Sequence, residues 1–177
     1  MAQATLTTAG GDLFTVGKPG QIADLVGAQV LTRQNSLATA LDFGVAAFWD
    51  TADADGSCRV QTGANDFFVG LTVAEPLMVA SSDGLDTVNY TQFQNVPLLI
   101  DGTMYVQVAE NVRAQDEVMA ILAGGAGNSS PGALGGLQGG AASASRLILP
   151  GSVWLTTTAS GGIGKVRVKT AGAARTA

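Results

Sequence analysis

Between positions 96 and 122 the chain reads VPLLIDGTMYVQVAENVRAQDEVMAIL. Met104, Val106 and Val108 alternate with Thr103, Tyr105 and Gln107, the period that puts one set on each face of a strand. Val96, Leu98 and Ile100 lead into Asp101-Gly102, a dipeptide that favours a tight hairpin turn with positive φ at the glycine. Residues 110–117 are polar and read as a connection, after which Val118, Ala120 and Leu122 begin another short strand. These features predict a three-stranded meander as the centre of an all-β domain, since three strands with one apolar face are about the minimum stable sheet.

The rest of the chain carries the same short-period pattern, with turn residues between the runs. The run 45–49 predicts a buried strand, followed by a polar turn at 50–57 and a short strand at 58–61. FFVGLTVA at 67–74 predicts another, with Gly70 placed for a bulge or close contact. The weak alternation at 88–93 predicts a strand joining the start of the meander. Residues 146–149 and 152–157 predict two strands around a Pro150-Gly151 turn, and a second turn at 159–162 leads into a closing strand at 163–169. There Ile163, Val166 and Val168 are assigned to the core and Lys165, Arg167 and Lys169 to the opposite side. The segment 21–42 reads as helical or mixed, although 29–33 fits a strand equally. About nine or ten short strands between Gly, Pro and Asp turns indicate a single small β-barrel or sandwich, jelly-roll-like.

Two stretches depart from this pattern. Residues 1–20 are small, polar and Gly-rich, and predict an extended N-terminal arm whose Leu13, Phe14 and Val16 are free to lie on a neighbour. Residues 123–145 contain 8 glycines and no charge, and predict a long Gly-rich loop with Leu134 and Leu137 as its only large apolar side chains. The expected organisation is an arm at 1–20, a β domain at 21–169 that includes the loop, and a C-terminal tail at 170–177.

Composition narrows the function. At 46% apolar and 13% charged, the 177-residue chain is too hydrophobic for disorder, and its charged share is about half the usual figure of roughly 25%. Its net charge of −5 is uneven: positions 1–145 hold 4 basic and 14 acidic residues, positions 146–177 hold 5 basic and none acidic. Five cations interleaved with valines fit the solvent face of a strand against an acidic protein neighbour better than a nucleic-acid tract, and no direct nucleic-acid contact is expected. With Cys58 alone, no internal disulfide forms. No basic n-region or run of about 20 apolar residues is present, so neither a signal peptide nor a membrane partner is expected.

The chain contains no histidine, which removes the commonest general base and metal ligand. Positions 161–166 fail the phosphate-loop pattern, and Asp50, Asp53 and Asp55 lack the glutamate twelve positions into a calcium loop, leaving a solvated acidic turn. Asp116 and Glu117 are adjacent and face opposite ways on a strand. Trp49 and Trp154 are expected in the core. No cofactor, metal or catalytic residue is indicated; a small β enzyme using carboxylates stays open on the residues alone, as does a binding or structural protein.

The order of motifs adds a resemblance. Pro19-Gly20-Gln21-Ile22-Ala23-Asp24, then FGVAAFW at 43–49, FVGLTV at 68–73, DGTMYVQV at 101–108, PGSVWLTT at 150–157 and the strand at 164–168 together resemble the structural cement, or capsid decoration, proteins of tailed bacteriophages. The resemblance spans about 17–168, although the insert at 123–145 is longer than in that family. It implies a non-enzymatic protein on the outer capsid surface of the virion, made in the host cytoplasm, that clamps neighbouring major capsid protein subunits. A homodimer on two-fold axes is expected first, with a homotrimer as the alternative. Capsid-contact candidates are then Leu13, Phe14, Val16, Gln21, Ile22, Leu134, Leu137, Lys165, Arg167 and Lys169. A virion-surface adhesion or ligand-binding β module is the other function compatible with the sequence.

Overall fold

The computed structural model describes residues 17–50, 52–53, 55–60, 66–74, 89–121, 132–136 and 146–170. Among them there are strands and turns but no helix. The strands are β1 (Ile22–Asn35), β2 (Leu41–Asp42), β3 (Ala46–Trp49), β4 (Ser57–Arg59), β5 (Phe68–Thr72), β6 (Asn89–Tyr90), β7 (Asn95–Gln107), β8 (Glu117–Ile121), β9 (Leu134–Gly136), β10 (Arg146–Trp154) and β11 (Ile163–Lys169). Nine form one sheet in the order β1-β4-β3-β5-β7-β11-β10-β8-β9, and β1 also pairs with β7. That extra pairing makes β1, β4, β3, β5 and β7 a ring, from which β11, β10, β8 and β9 continue as a wing. The result is the all-β, sandwich-like fold that the alternation predicts.

Two cores follow from this geometry. Leu98, Val96, Val69, Ala47 and Cys58 point into the ring, joined by Leu41 and Tyr90 of the β2–β6 pair. Phe48, Phe68, Leu71 and Leu99 face the other way and pack with Met104, Val106, Val118, Leu134, Trp154 and Val166. Successive residues of β3, β5 and β7 therefore serve different cores, which is why these strands read as continuous apolar runs rather than clean alternations. The buried Asn35 side chain is paired: its Nδ2 donates to the carbonyls of Thr39 and Tyr90, each at 3.1 Å, and ties the end of β1 to the β2–β6 pair, whereas Nε and one Nη of Arg33 are buried without a hydrogen-bond partner among the described residues. The Trp154 indole donates to the Gly135 carbonyl at 3.1 Å.

Several expectations are corrected. Residues 22–35 are not helical or mixed but form the longest strand. Asp101-Gly102 is not a hairpin turn: β7 runs through it, with Asp101 paired to Gln29 on one side and Lys169 on the other. Gly102 does have positive φ, at 142°. The strands of the expected meander are not neighbours, because β11 and β10 lie between β7 and β8. The strand at 89–90 pairs with β2 instead of joining that meander. Pro150-Gly151 is a bulge inside a single strand, marked by a register shift between Ile148 and Val153. Within the Gly-rich stretch, 134–136 form β9, and Leu134 is fully buried. In β11 the core face is Gly164, Val166 and Val168, while Ile163 falls on the lysine face. Gly70 marks a close contact as expected: a Cβ there would lie 2.7 Å from the Leu99 carbonyl oxygen, next to a register shift against β3.

Candidate functional site

The outer face of β7 carries Asp101, Thr103 and Tyr105. The β11 register sets Lys169 opposite Asp101, Arg167 opposite Thr103 and Lys165 opposite Tyr105. In-register neighbours point to the same side of a sheet, so the three cations of the predicted row share one face. Lys165 Nζ sits 5.2 Å from the centre of the Tyr105 ring, a cation–π contact. Arg167 approaches Asp101 at 3.7 Å across exposed surface, a pair of little energetic weight. Lys169 has no ion pair among the described residues.

On its other edge β7 meets β1. Asp24 pairs with Thr103 and Gln29 with Asp101, so β1 advances five positions where β7 advances two. The extra residues are pushed out of the sheet. Leu25 is 79% exposed and Val26 89% exposed at the tip of this excursion. Asp24 Oδ1 accepts the Val26 N–H at 3.0 Å, an Asx turn, and Gly27 takes φ 76°. The same two β7 residues thus carry the apolar tip on one side and Arg167 and Lys169 on the other.

The other candidates fall as follows. Gln21 is exposed, and its side-chain oxygen accepts the Lys18 N–H at 3.1 Å. Ile22 is half-buried against the core. Leu134 belongs wholly to the core, which leaves it no surface to offer a neighbour. Leu13, Phe14, Val16 and Leu137 lie outside the described residues, as do 1–16, 137–145 and 171–177. The last residues of the expected arm are part of the domain: the Gly20 N–H donates to the Tyr105 carbonyl and its carbonyl accepts from Ala74, each at 2.8 Å. Sequence reasoning missed Leu25 and Val26 because an apolar pair within a supposed mixed helix carries no sign of exposure. It also missed Phe93, 67% exposed with φ 67°. Trp154 is buried as expected, but Trp49 is 38% exposed and stacks against Phe67 with ring centres 5.5 Å apart.

Two carboxylates of the acidic turn, Asp50 and Asp53, are engaged locally. Hydrogen bonds from the Ala52 backbone and the Ser36 hydroxyl, with Arg59 nearby, hold the Asp50 carboxyl below its ordinary range. Asp53 accepts from Gly56 N and from Ser57 Oγ at 3.2 and 3.0 Å. A cavity of about 300 Å³ is lined by residues that include Phe43, Val45, Val108 and Ser160, with Asp42 as its one carboxylate. Burial raises the Asp42 pKa above its usual 3.8. Burial also pushes the Cys58 thiol up to about 12, despite Arg33 nearby. Among the described residues no three His, Cys, Asp or Glu side chains are grouped to hold a metal ion.

A solved chain from a structure described as "The capsid of Myoviridae Phage XM1" superposes with a TM-score of 0.66 at 15% identity, covering 87% of this chain and 91% of that one. At that identity the likeness shows a common fold. No curated protein matches the sequence. The family described as "Structural cement protein (E217 gp24/Pam3 gp6)" matches residues 6–169, nearly the whole chain and both edges of β7. The chain therefore belongs to the structural cement protein family, and its role is a structural one in a phage capsid.

Proposed function

We propose that this protein binds the outside of an icosahedral phage head and clamps neighbouring major capsid protein subunits without catalysing a reaction. The family match over residues 6–169 is the observation that carries this reading. A clamp needs a rigid body and contact groups rather than titratable chemistry. The two cores supply the body. The row Lys165, Arg167 and Lys169, with Gln21, the exposed side of Ile22 and the segment holding Leu13, Phe14 and Val16, supplies contacts, and Leu137 adds another.

Binding the assembled shell better than free subunits stabilises the shell by mass action. A protein that touches two subunits at once gains further, because the second contact forms at an effective concentration of about millimolar. Self-association, first as a dimer and otherwise as a trimer, multiplies those contacts on a symmetric lattice.

The test adds protein lacking positions 1–16 to shells assembled without cement. Full-length protein should saturate the shells and raise the temperature at which they release the genome. The truncated protein should fold, since the described strands begin at Ile22, yet show lower occupancy and earlier release. Full-length protein that neither binds nor protects the shells would overturn the clamp.

A further inference from the structure

The excursion of β1 is an unusual way to spend apolar side chains. A loop with only a structural task is normally polar at its tip, whereas this one shows solvent two aliphatic side chains, Leu25 and Val26. The tip is also fixed in shape. Both of its ends are paired to β7, the Asp24 carboxylate caps Val26 N, and Gly27 supplies the left-handed φ that closes the bend. A Cβ added at Gly27 would meet nothing within 4 Å, so the tip stands clear of its own domain. Pre-ordering reduces the entropy lost on docking, the chief cost that a small apolar anchor must overcome.

The surroundings define the partner. Arg167 and Lys169 flank the same stretch of β7, with Lys165 next along β11, in a chain whose first 145 residues carry 14 acidic and 4 basic side chains. A second copy meeting this face through a two-fold axis would set the three cations against themselves, which like-charge repulsion disfavours. A nucleic-acid backbone would answer the cations and leave the aliphatic tip without a role. An apolar pocket edged by carboxylates answers both.

We infer that Leu25 and Val26 form a pin that seats in an apolar, carboxylate-edged pocket of a capsid subunit, with Arg167 and Lys169 on the rim. This rests on the clamp reading above and assigns it a specific anchor. Anchors of this kind carry most of an interface's affinity, while rim charges act on encounter rate and salt dependence.

The experiment titrates cement-free shells with the wild type, Val26→Asp, Leu25→Ser and Lys169→Glu. The melting temperature of each variant is measured alongside, and all four are tested against vesicles containing anionic lipid. Val26 and Leu25 are exposed, so both variants should melt as the wild type does. Val26→Asp should raise the half-saturating concentration about tenfold or more, Leu25→Ser by a smaller factor, and Lys169→Glu should flatten the dependence on salt. Wild type that saturates the shells with Val26→Asp matching it would overturn the pin and leave the clamp standing. Wild type that fails to bind would overturn both. Wild type that binds vesicles but not shells would reassign the tip to a membrane surface, and self-association of the wild type abolished by Val26→Asp, with shell binding intact, would reassign it to a second copy.

Discussion

Gly102 tests whether β7 is one strand shared between the ring and the wing. Its φ is 142°, in a region that side-chain-bearing residues adopt at a cost of roughly 1–3 kcal/mol. A Cβ built there would lie 3.1 Å from Leu99 Cδ1 and 3.3 Å from Ala28 Cα and Cβ. Leu99 can turn away, but Ala28 is backbone held at the foot of the β1 excursion. Valine adds two methyl groups in that space, and overpacking of this kind costs about 1–3 kcal/mol. Gly102→Val should therefore destabilise the domain by about 3 kcal/mol, in the lower half of the summed range of roughly 2–6 kcal/mol because Leu99 can turn away. At roughly 2–4 °C per kcal/mol for a chain of this size, the melting temperature should fall by about 6–12 °C. Gly161→Ala is the control: φ is 80°, but nothing lies within 4 Å of the added Cβ, so only backbone strain of about 1 kcal/mol is expected. Calorimetry on both variants and the wild type decides the matter. Equal melting temperatures for Gly102→Val and Gly161→Ala would refute the packed, strained position described for Gly102.

Two further predictions use the titratable groups inside the domain. Cys58 is fully buried with its pKa pushed to about 12, so at pH 8 a thiol reagent should label it only as fast as the domain unfolds, and labelling within the mixing time in the native state would contradict the burial. The Asp42 carboxyl is raised by burial, so the folded state holds its proton more tightly than the unfolded state and loses stability as pH rises from its ordinary 3.8 through the raised value. Asp42→Asn should accordingly raise the melting temperature at pH 7 and do so less at pH 3.5; an equal gain at both values would place its cause elsewhere.

The apolar runs of β3 and β5 and the alternation of β11 were legible in the sequence as strands, whereas the strand that carries an excursion and the places where local turn or glycine signals oppose long-range pairing were not. In β11, Val166 and Val168 alternate with Arg167 and Lys169 because the strand has one buried face, so the basic row was read correctly. β1 hid itself because the residues from Leu25 to Ala28 leave the sheet, which breaks the period of two at its centre. The same break hid the apolar tip. Asp101-Gly102 carries a strong local turn signal, yet β7 is paired on both edges there, and long-range hydrogen bonding outweighs a dipeptide preference. Pro150-Gly151 behaves likewise, bulging within β10. β9 was read as loop because Gly135 and Gly136 suggest flexibility, but these glycines are there for space: a Cβ on Gly136 would lie 2.8 Å from Val112 Cγ1. Composition cannot separate a glycine that frees the chain from one that lets two segments touch.

The most direct measurement is a reconstruction of the parent particle at a resolution that traces side chains. We expect this domain on the outer surface of the shell, with each copy touching at least two neighbouring major capsid subunits, the Leu25–Val26 tip buried in one of them and Lys165, Arg167 and Lys169 facing carboxylates. A domain absent from the shell, or present on it while touching a single subunit, would contradict the clamp.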